Sequence, residues 1–126
     1  MSALHCVVYV SAATRLFTQA ELEQLLADAR AQNRLAQVTG ILLYADGNFM
    51  QLLEGSEEDL DAVMQRVRRS HRHGGIMTLL REPIAQREFG DWDMAFRRIE
   101  RADFLALTTG TSKPHILLRS FLENVG

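Results

Sequence analysis

Short apolar runs and apolar residues at helical spacing alternate along most of the chain, and a hairpin stands near the centre of this pattern. Ile41–Tyr44 and Phe49–Leu53 are apolar runs typical of strands, and the Asp46-Gly47 pair between them favours a type I′ turn. Gln51 places a polar side chain in the middle of the second run. Because an unpaired buried amide costs about 1–3 kcal/mol, the pattern predicts a hydrogen-bond partner for Gln51.

Five strands and two helices are predicted before residue 99. The predicted strands are Leu4–Val10, Ile41–Tyr44, Phe49–Leu53, Ile76–Arg81 and Trp92–Arg97, and the predicted helices run from about Gln19 to Asn33 and from the capping residue Ser56 to about Ser70. The order β-α-β-β-α-β-β is that of a ferredoxin-like domain with one strand added. It predicts an α+β fold with both helices on one face of the sheet.

The last part of the chain is predicted to be helical. A short helix is expected near Arg101–Leu107 and a second one near Lys113–Asn124, with Leu117, Leu118, Phe121 and Leu122 on its apolar side. We therefore expect residues 1–98 to form one domain and residues 99–126 to form a C-terminal helical cap of that same domain.

Composition narrows the class of protein. The chain has 126 residues, of which 47% are hydrophobic and 24% are charged, and this is typical of one globular domain. A net charge of −2 argues against a nucleic-acid-binding surface. The single cysteine, Cys6, excludes an internal disulfide and fits a reducing cytoplasm, and no apolar run approaches the roughly 18 residues of a membrane span. We expect a cytoplasmic protein that binds neither nucleic acid nor membrane.

Tyr9 and Gln51 are the candidate functional pair. In the predicted plan they lie on neighbouring central strands, where both polar groups can meet in the gap between the helices. A phenol and an amide each donate and accept hydrogen bonds, so the pair can pass a change of hydrogen bonding in either direction. Asn33, at the expected end of the first helix, would close the same pocket. On these residues alone, a satisfied core pair without a ligand explains the pattern equally well.

Other candidate chemistry is weaker. His71 and His73 have metal-ligand spacing, but no third ligand accompanies them, and such pairs usually lie in solvated turns. Arg72, between them, is placed to hold a phosphate. No catalytic triad, cysteine–histidine pair, paired carboxylates or glycine-rich phosphate loop is evident, so we expect neither a bound metal nor an enzyme.

The residues at these positions resemble the BLUF domain, a flavin-binding sensor of blue light in bacteria and some protists. The similarity runs in order over about residues 4–98. It includes Tyr9 with Ser11, Asn33, Val38–Tyr44, Phe49–Gly55, Arg72-His73, Glu82-Pro83-Ile84, Arg87 with Phe89, and Asp91–Met94. Chance does not explain so many matches in one order, and they favour a ligand site over a simple core pair.

The resemblance implies FAD, bound non-covalently with its ring between the two helices. The family role of Tyr9 is to donate an electron and a proton to the photoexcited flavin. Gln51 is expected to bridge that tyrosine to flavin N5 and O4, with an amide that rotates or tautomerises. Asn33 is expected to hold the pyrimidine edge of the ring.

Further family positions extend this expected site. Arg72 and His73 are expected near the ring and phosphate side of FAD. Gln32, where many members carry His or Asn, is also expected to contact the cofactor. Trp92 and Met94, on the expected fifth strand, would relay the signal by exchanging places or hydrogen bonds.

The resemblance is to short, stand-alone family members, which implies output through contact with an unknown protein partner, and we also expect a homo-oligomer. Two functions of other classes stay open on the sequence. A ferredoxin-like small-molecule hydrolase is one, although acylphosphatase-like enzymes need an Arg and an Asn at one phosphate-binding loop, and no such loop is evident. A flavin-free protein-interaction module is the other, and the yellow colour of bound flavin would separate it from a light sensor.

Overall fold

The computed structural model describes residues 3–13, 17–70, 73–90 and 93–104, and its elements follow the predicted order. The strands are β1 (Leu4–Ala13), β2 (Thr39–Ala45), β3 (Asn48–Ser56), β4 (His73–Pro83) and β5 (Ala95–Arg98), and the helices are α1 (Gln19–Ala36) and α2 (Glu57–Arg69). One sheet holds the strands in the order β4-β1-β3-β2-β5. The first four pair antiparallel, and β5 runs parallel to β2. The predicted α+β, ferredoxin-like fold with one added strand is confirmed.

The hairpin between β2 and β3 sets the position of Gln51. Asp46 and Gly47 have φ angles of 44° and 85°, so both turn residues are left-handed, as the predicted type I′ turn requires. Strand β3 then pairs with β1 in a register that puts Tyr9 directly opposite Gln51. Residues opposite each other in a ladder project from the same face, so the expected pair is brought together by the backbone.

Apolar side chains fill a core on each face of the sheet. Both helices cover the face that holds Tyr9, where the buried residues are Leu22, Leu25, Leu26, Leu60, Val63, Met64, Val7, Tyr9, Leu42, Tyr44, Phe49 and Leu53. On the opposite face the buried residues are Val8, Ile41, Leu43, Ala45, Met50, Leu52, Phe89, Ala95 and Phe104. Because β2 and β3 are covered on both faces, they are nearly continuous apolar runs rather than alternating ones.

Cys6 lies on the opposite face of β1 from Tyr9, because successive strand residues project to alternate sides. Its thiol is buried, and it pairs in register with Glu54 of β3 and Glu82 of β4. Burial, aided by the two carboxylates, raises the pKa of the thiol to about 11. Cys6 is therefore a small buried residue of the strand.

Helix α1 begins as predicted but ends later. Thr18 and Glu21 form a capping box, in which each side chain accepts a hydrogen bond from the backbone N–H of the other. The prediction that the helix ends at Asn33 is wrong. The helix continues to Ala36, and Gln37 closes it with a left-handed φ of 57° and an N–H that donates to carbonyls of the final turn. Asn33 therefore has a helical backbone beneath its buried side chain.

The fourth and fifth strands also differ from their predicted bounds. Strand β4 begins at His73 rather than Ile76 and runs to Pro83. Strand β5 begins at Ala95, so Met94 lies in a bend before it, and the prediction that Met94 stands on the fifth strand is wrong. The carbonyls of Asp93 and Met94 accept hydrogen bonds from side chains of α1. Because α1 takes these carbonyls, the regular ladder starts only after them.

A buried carboxylate, that of Glu54 in β3, fixes the connection between β4 and β5. It accepts hydrogen bonds from the backbone N–H groups of Glu88 at 2.6 Å and Phe89 at 2.9 Å, and from the Thr39 hydroxyl at 3.1 Å. Arg87 donates to the carbonyl oxygen of Glu54 at 2.9 Å. Donors from the connection thus satisfy a carboxylate that would otherwise be costly to bury.

Several predictions fall outside the described residues. They concern Trp92, Arg72, His71, the side chain of His73 and the helix expected near Lys113–Asn124. Residues 101–104 are helical, as expected for the start of the short helix. No helix in the described ranges is long and apolar enough to cross a membrane.

Gly40 of β2 provides a test of the packing between β2 and β3. A Cβ at this position would lie 1.9 Å from the carbonyl oxygen of Leu52, so the β3 backbone would have to move. We expect Gly40→Ala to lower the free energy of unfolding in urea by about 2 kcal/mol or more. Gly90→Ala is the matched control, because its Cβ would meet the Arg87 side chain at an ordinary 3.5 Å. Similar losses in both variants would contradict the close approach at Gly40.

Candidate functional site

Tyr9 and Gln51 form a buried hydrogen bond beneath the two helices. The Tyr9 hydroxyl donates to Gln51 Oε1. Tyr9 is 0% exposed and Gln51 is 5% exposed, so this contact is shielded from water. The hydrogen-bond partner predicted for the buried Gln51 amide is therefore the Tyr9 phenol on the adjacent strand.

Met94 is the second partner of the Gln51 amide. Gln51 Nε2 donates to Met94 Sδ at 3.4 Å. The amide thus lies between a phenol that donates to its oxygen and a thioether that accepts from its nitrogen. A thioether has no hydrogen to donate, so the reversed amide would place its oxygen against the sulfur. This pair of neighbours gives the Gln51 amide one preferred orientation.

Asn33 projects from α1 towards the segment that carries Met94. Its side chain is 1% exposed, and its Nδ2 donates to the carbonyl oxygen of Asp93 at 2.7 Å. The helix therefore holds the backbone next to Met94 through a buried amide. Asn33 closes the inner end of the site, as expected, but in this structure it does so by binding the main chain.

A cleft opens between α1 and α2 directly above Gln51. Its cavity volume is about 140 Å³. The lining residues are Leu25, Asp28, Ala29, Gln32, Asn33, Leu42, Gln51, Val63, Arg66, Val67 and Ser70. Apolar walls with a few amides at one end are typical of a site for a planar aromatic ligand that is oriented by hydrogen bonds. Tyr9 lies behind Gln51 and reaches the cleft through the amide.

Gln32 and Arg66 meet at the exposed mouth of the cleft. The Arg66 guanidinium donates to Gln32 Oε1 and so links α2 to α1. Arg66 also brings a positive charge to the mouth of the cleft. A planar ligand entering between the helices would lie beside this pair.

The structure brings together five of the expected site residues: Tyr9, Gln32, Asn33, Gln51 and Met94. Arg72, Trp92 and the side chain of His73 lie outside the part of the chain that it describes.

Arg66 is not among the site residues expected from the sequence. Its position three residues after Val63 and four before Ser70 puts all three on one face of α2, and that spacing was the available signal.

Comparison with known proteins identifies the family of this chain. A family model described as "BLUF: Sensors of blue-light using FAD" matches residues 4–95. The chain is 36% identical over 98 residues to the "Blue light- and temperature-regulated antirepressor BluF" of Escherichia coli (strain K12), covering 74% of this chain and 24% of that protein. It is 31% identical over 94 residues to the "Photoactivated adenylate cyclase subunit beta" of Euglena longa, covering 74% of this chain and 11% of that protein.

A solved structure shows the same fold. "BlrB - a BLUF protein, dark state structure" superposes with a TM-score of 0.80 at 26% identity, covering 97% of this chain and 96% of that chain. The resemblance inferred from the sequence is confirmed. The chain spans less than a quarter of the length of each of these two curated relatives: 24% of one and 11% of the other.

The protonation of Tyr9 yields a test of its burial. Burial raises the pKa of the phenol well above its ordinary value. An unfolded chain ionises this tyrosine near pH ~10, while the native state keeps the proton. The contribution of Tyr9 to stability is therefore constant below that pH and falls as the pH rises above it.

We expect the stability of the native protein to fall less between pH ~9 and ~11 in Tyr9→Phe than in the wild type, because this range brackets the ionisation of a free phenol. Urea unfolding at each pH would measure this difference. Absorbance at about 295 nm reports ionised tyrosine. At pH ~10 the folded Tyr9→Phe variant should show the same tyrosinate signal as the folded wild type, whereas the unfolded variant should lack the signal of one tyrosine. A native titration that loses a tyrosinate in the variant at that pH would show that the phenol is not shielded.

Proposed function

The chain belongs to the BLUF family of sensors of blue light using FAD, and we propose that it responds to light through a relay of Tyr9, Gln51 and Met94. The observation that carries this proposal is the position of the Gln51 amide. Its oxygen accepts from the buried phenol, and its nitrogen donates to Met94 Sδ at 3.4 Å. Any change in this amide therefore alters the hydrogen bonding of Tyr9 and of the segment before β5 together.

The residues of the cleft fit a flavin ring. Leu25, Leu42 and Val63 supply apolar walls, and Gln51 and Asn33 supply amide groups at the inner end. We propose that these residues, with Gln32 at the mouth, hold the isoalloxazine ring of FAD. Arg72 and His73 keep their proposed places near the ring and phosphate side, on the strength of the family resemblance. No covalent bond is proposed, because Cys6 lies on the opposite face of the sheet.

Tyr9 and Gln51 supply the groups for a proton-coupled change in this site. When bound, FAD supplies a chromophore that absorbs blue light and, while excited, attracts an electron from a nearby donor. In the dark Tyr9 holds its proton on the phenol oxygen, and burial favours that neutral form. Gln51 Oε1 already accepts a hydrogen bond from this proton and is the atom placed to receive it. The phenol and the amide thus provide donor, acceptor and path without any rearrangement of the backbone.

Rotation or tautomerisation of the Gln51 amide is the proposed switch. In the rotated form Nε2 donates to the phenol oxygen, so Tyr9 changes from donor to acceptor. Oε1 then faces Met94 Sδ, and two acceptors without a hydrogen between them repel each other. The switch therefore favours a new position of Met94, whose flexible thioether side chain can repack at small cost.

We propose that the signal leaves through the segment before β5 and reaches a protein partner. Met94 and, from the family resemblance, Trp92 would form this relay. The names of two relatives point to protein outputs of different kinds, an adenylate cyclase in Euglena longa and an antirepressor in Escherichia coli. For this chain we propose an effector protein as partner, a role as sensor rather than enzyme, a homo-oligomeric state, and a helical cap formed by residues 99–126 on the domain formed by residues 1–98.

The relay predicts the spectra of two substitutions that remove hydrogen-bonding groups with little change in side-chain size. Purified wild-type protein should be yellow and should show a flavin spectrum that shifts reversibly to longer wavelength under blue light. Tyr9→Phe removes only the hydroxyl and Gln51→Leu removes only the amide, so both should retain FAD but lose the reversible shift, as absorption spectroscopy before and after illumination would measure.

Tyr44→Phe is the matched control for this experiment. Tyr44 is the second tyrosine of the chain, buried on β2 against Phe49, with 5.0 Å between ring centroids. Its variant should photocycle like the wild type. A normal photocycle in Gln51→Leu would contradict the relay even if flavin is bound, and a wild-type protein that cannot be loaded with FAD would contradict the proposed function as a whole.

Asn33 should contribute to FAD retention. Asn33→Ala removes a buried amide from the inner end of the cleft and leaves the Asp93 carbonyl without its donor, so we expect FAD affinity to fall by about tenfold. Fluorescence titration of the folded, FAD-depleted protein with FAD would measure this affinity. Asn48→Ala, at the exposed end of the β2–β3 hairpin, is the control and should bind like the wild type. Equal affinity in Asn33→Ala and the wild type would remove Asn33 from the site.

A further inference from the structure

Three side chains of α1 hold the two residues that precede β5. Arg30, Asn33 and Arg34 share one face of the helix, because residues three and four apart are neighbours on a helical surface. Asn33 donates to the Asp93 carbonyl at 2.7 Å, and Arg30 Nε donates to the Met94 carbonyl at 3.0 Å. Arg34 pairs with the Asp93 carboxylate, with 2.9 Å between Nη2 and Oδ2. Asn33 already has a place in the proposed site, whereas the two arginines have none.

We propose that Arg30 and Arg34 are positioning residues for the light switch. They hold the Asp93–Met94 bend so that Met94 Sδ accepts from Gln51 Nε2, and they thereby favour the amide orientation that accepts from Tyr9. This inference rests on the proposed function of Tyr9 and Gln51. The two arginines and the bend that they bind are called the α1 clamp below.

The need for a clamp follows from the chemistry of the Met94 contact. Sulfur is a weak acceptor, and a methionine side chain has three rotatable bonds. The hydrogen bond to Met94 Sδ therefore cannot hold the backbone of Met94 in place. Residues 93 and 94 form a bend outside the sheet ladder. Arginine contacts reach both residues of the bend. The part-buried hydrogen bond from Arg30 is charge-assisted and is the stronger of the two, because the Arg34 side chain is 75% exposed and water screens its ion pair.

The clamp also has a fixed support on each side of the bend. Glu54 binds the backbone of residues 88 and 89 before it, and β5 pairs with β2 after it. Displacement of Met94 must therefore be absorbed near the bend itself. Because the Arg30 contact is made to the Met94 carbonyl, any shift of the backbone at that residue stretches or breaks it.

The clamp should set the balance between the two amide orientations. When Gln51 rotates, Oε1 faces Met94 Sδ. The thioether can turn away only as far as its backbone allows, and the clamp holds that backbone, so it opposes the larger movement that would relieve this repulsion fully. The rotated form is thus kept under strain, and return to the original orientation is favoured. Without the clamp, Met94 moves away freely, so the rotated form should last longer and should already be partly populated in the dark.

The test uses the full chain loaded with FAD. Arg30→Met and Arg34→Met keep the aliphatic stems and the helix propensity but remove the hydrogen bonds and charges. We expect both variants to bind FAD, to show a dark spectrum moved part of the way towards the lit one, and to recover in darkness more slowly than the wild type. For Arg30→Met the recovery rate constant should fall by about tenfold, the factor that about 1.4 kcal/mol of barrier represents.

Matched variants separate positioning from a general loss of structure. Arg68→Met, at an exposed position on α2, should leave both spectra and recovery unchanged. Arg30→Lys and Arg34→Lys retain a positive donor and should recover part of the lost rate. The exchange Arg34→Asp with Asp93→Arg restores the ion pair in reverse and should recover faster than either single substitution. Failure of these variants to differ from the methionine variants would overturn the proposal.

A measurement on FAD-free protein tests the clamp independently of the photocycle. The side-chain ¹H–¹⁵N signal of Gln51, identified by its absence in Gln51→Leu, should move in Arg30→Met and Arg34→Met but not in Arg68→Met. An unchanged signal and an unchanged dark recovery would overturn the clamp while leaving the Tyr9–Gln51 relay intact. If the wild type fails to bind FAD or to photocycle, the proposed function is wrong, and the Gln51 signal still decides whether the arginines position the amide.

Discussion

The buried amide of Gln51 is the constraint on which the rest of the site depends. An amide in an apolar strand must satisfy both a donor and an acceptor, and within the described residues it has one partner on the sheet and one in the bend. Tyr9 satisfies its oxygen and Met94 satisfies its nitrogen. Because the two neighbours differ in kind, the amide has a preferred direction, and in the proposed relay it acts as a two-state element.

Much of this arrangement follows from local sequence chemistry. The Asp46-Gly47 turn fixes the register of the β2–β3 hairpin, and the order of strands and helices places β1 beside β3, which brings Tyr9 within reach of Gln51. The capping box at Thr18 likewise marks the start of α1. The turn and the capping box are predictable because each depends on a few residues close together in the chain.

The end of α1 and the start of β5 were predicted incorrectly because both depend on distant contacts. Gln37 has no residue-type preference for a left-handed cap, and it takes that conformation where the chain turns into β2. The carbonyls of Asp93 and Met94 accept hydrogen bonds from side chains of α1, about 60 residues earlier in the chain, and not from a neighbouring strand. Arginines near a helix end are usually solvated, so their pattern did not indicate that Arg30 and Arg34 bind a bend.

The spacing of the relay along the chain has a consequence for folding. Tyr9 and Gln51 are 42 positions apart, and Gln51 and Met94 are 43 positions apart. Contacts between such distant residues are slow to form, because the intervening loops must close before the contacts can stabilise them. No hairpin or single helix contains two of the three side chains. The hydrogen-bonded relay can therefore form only after β1, β3 and the bend before β5 have assembled, and a reversible light response would report a completely folded sheet.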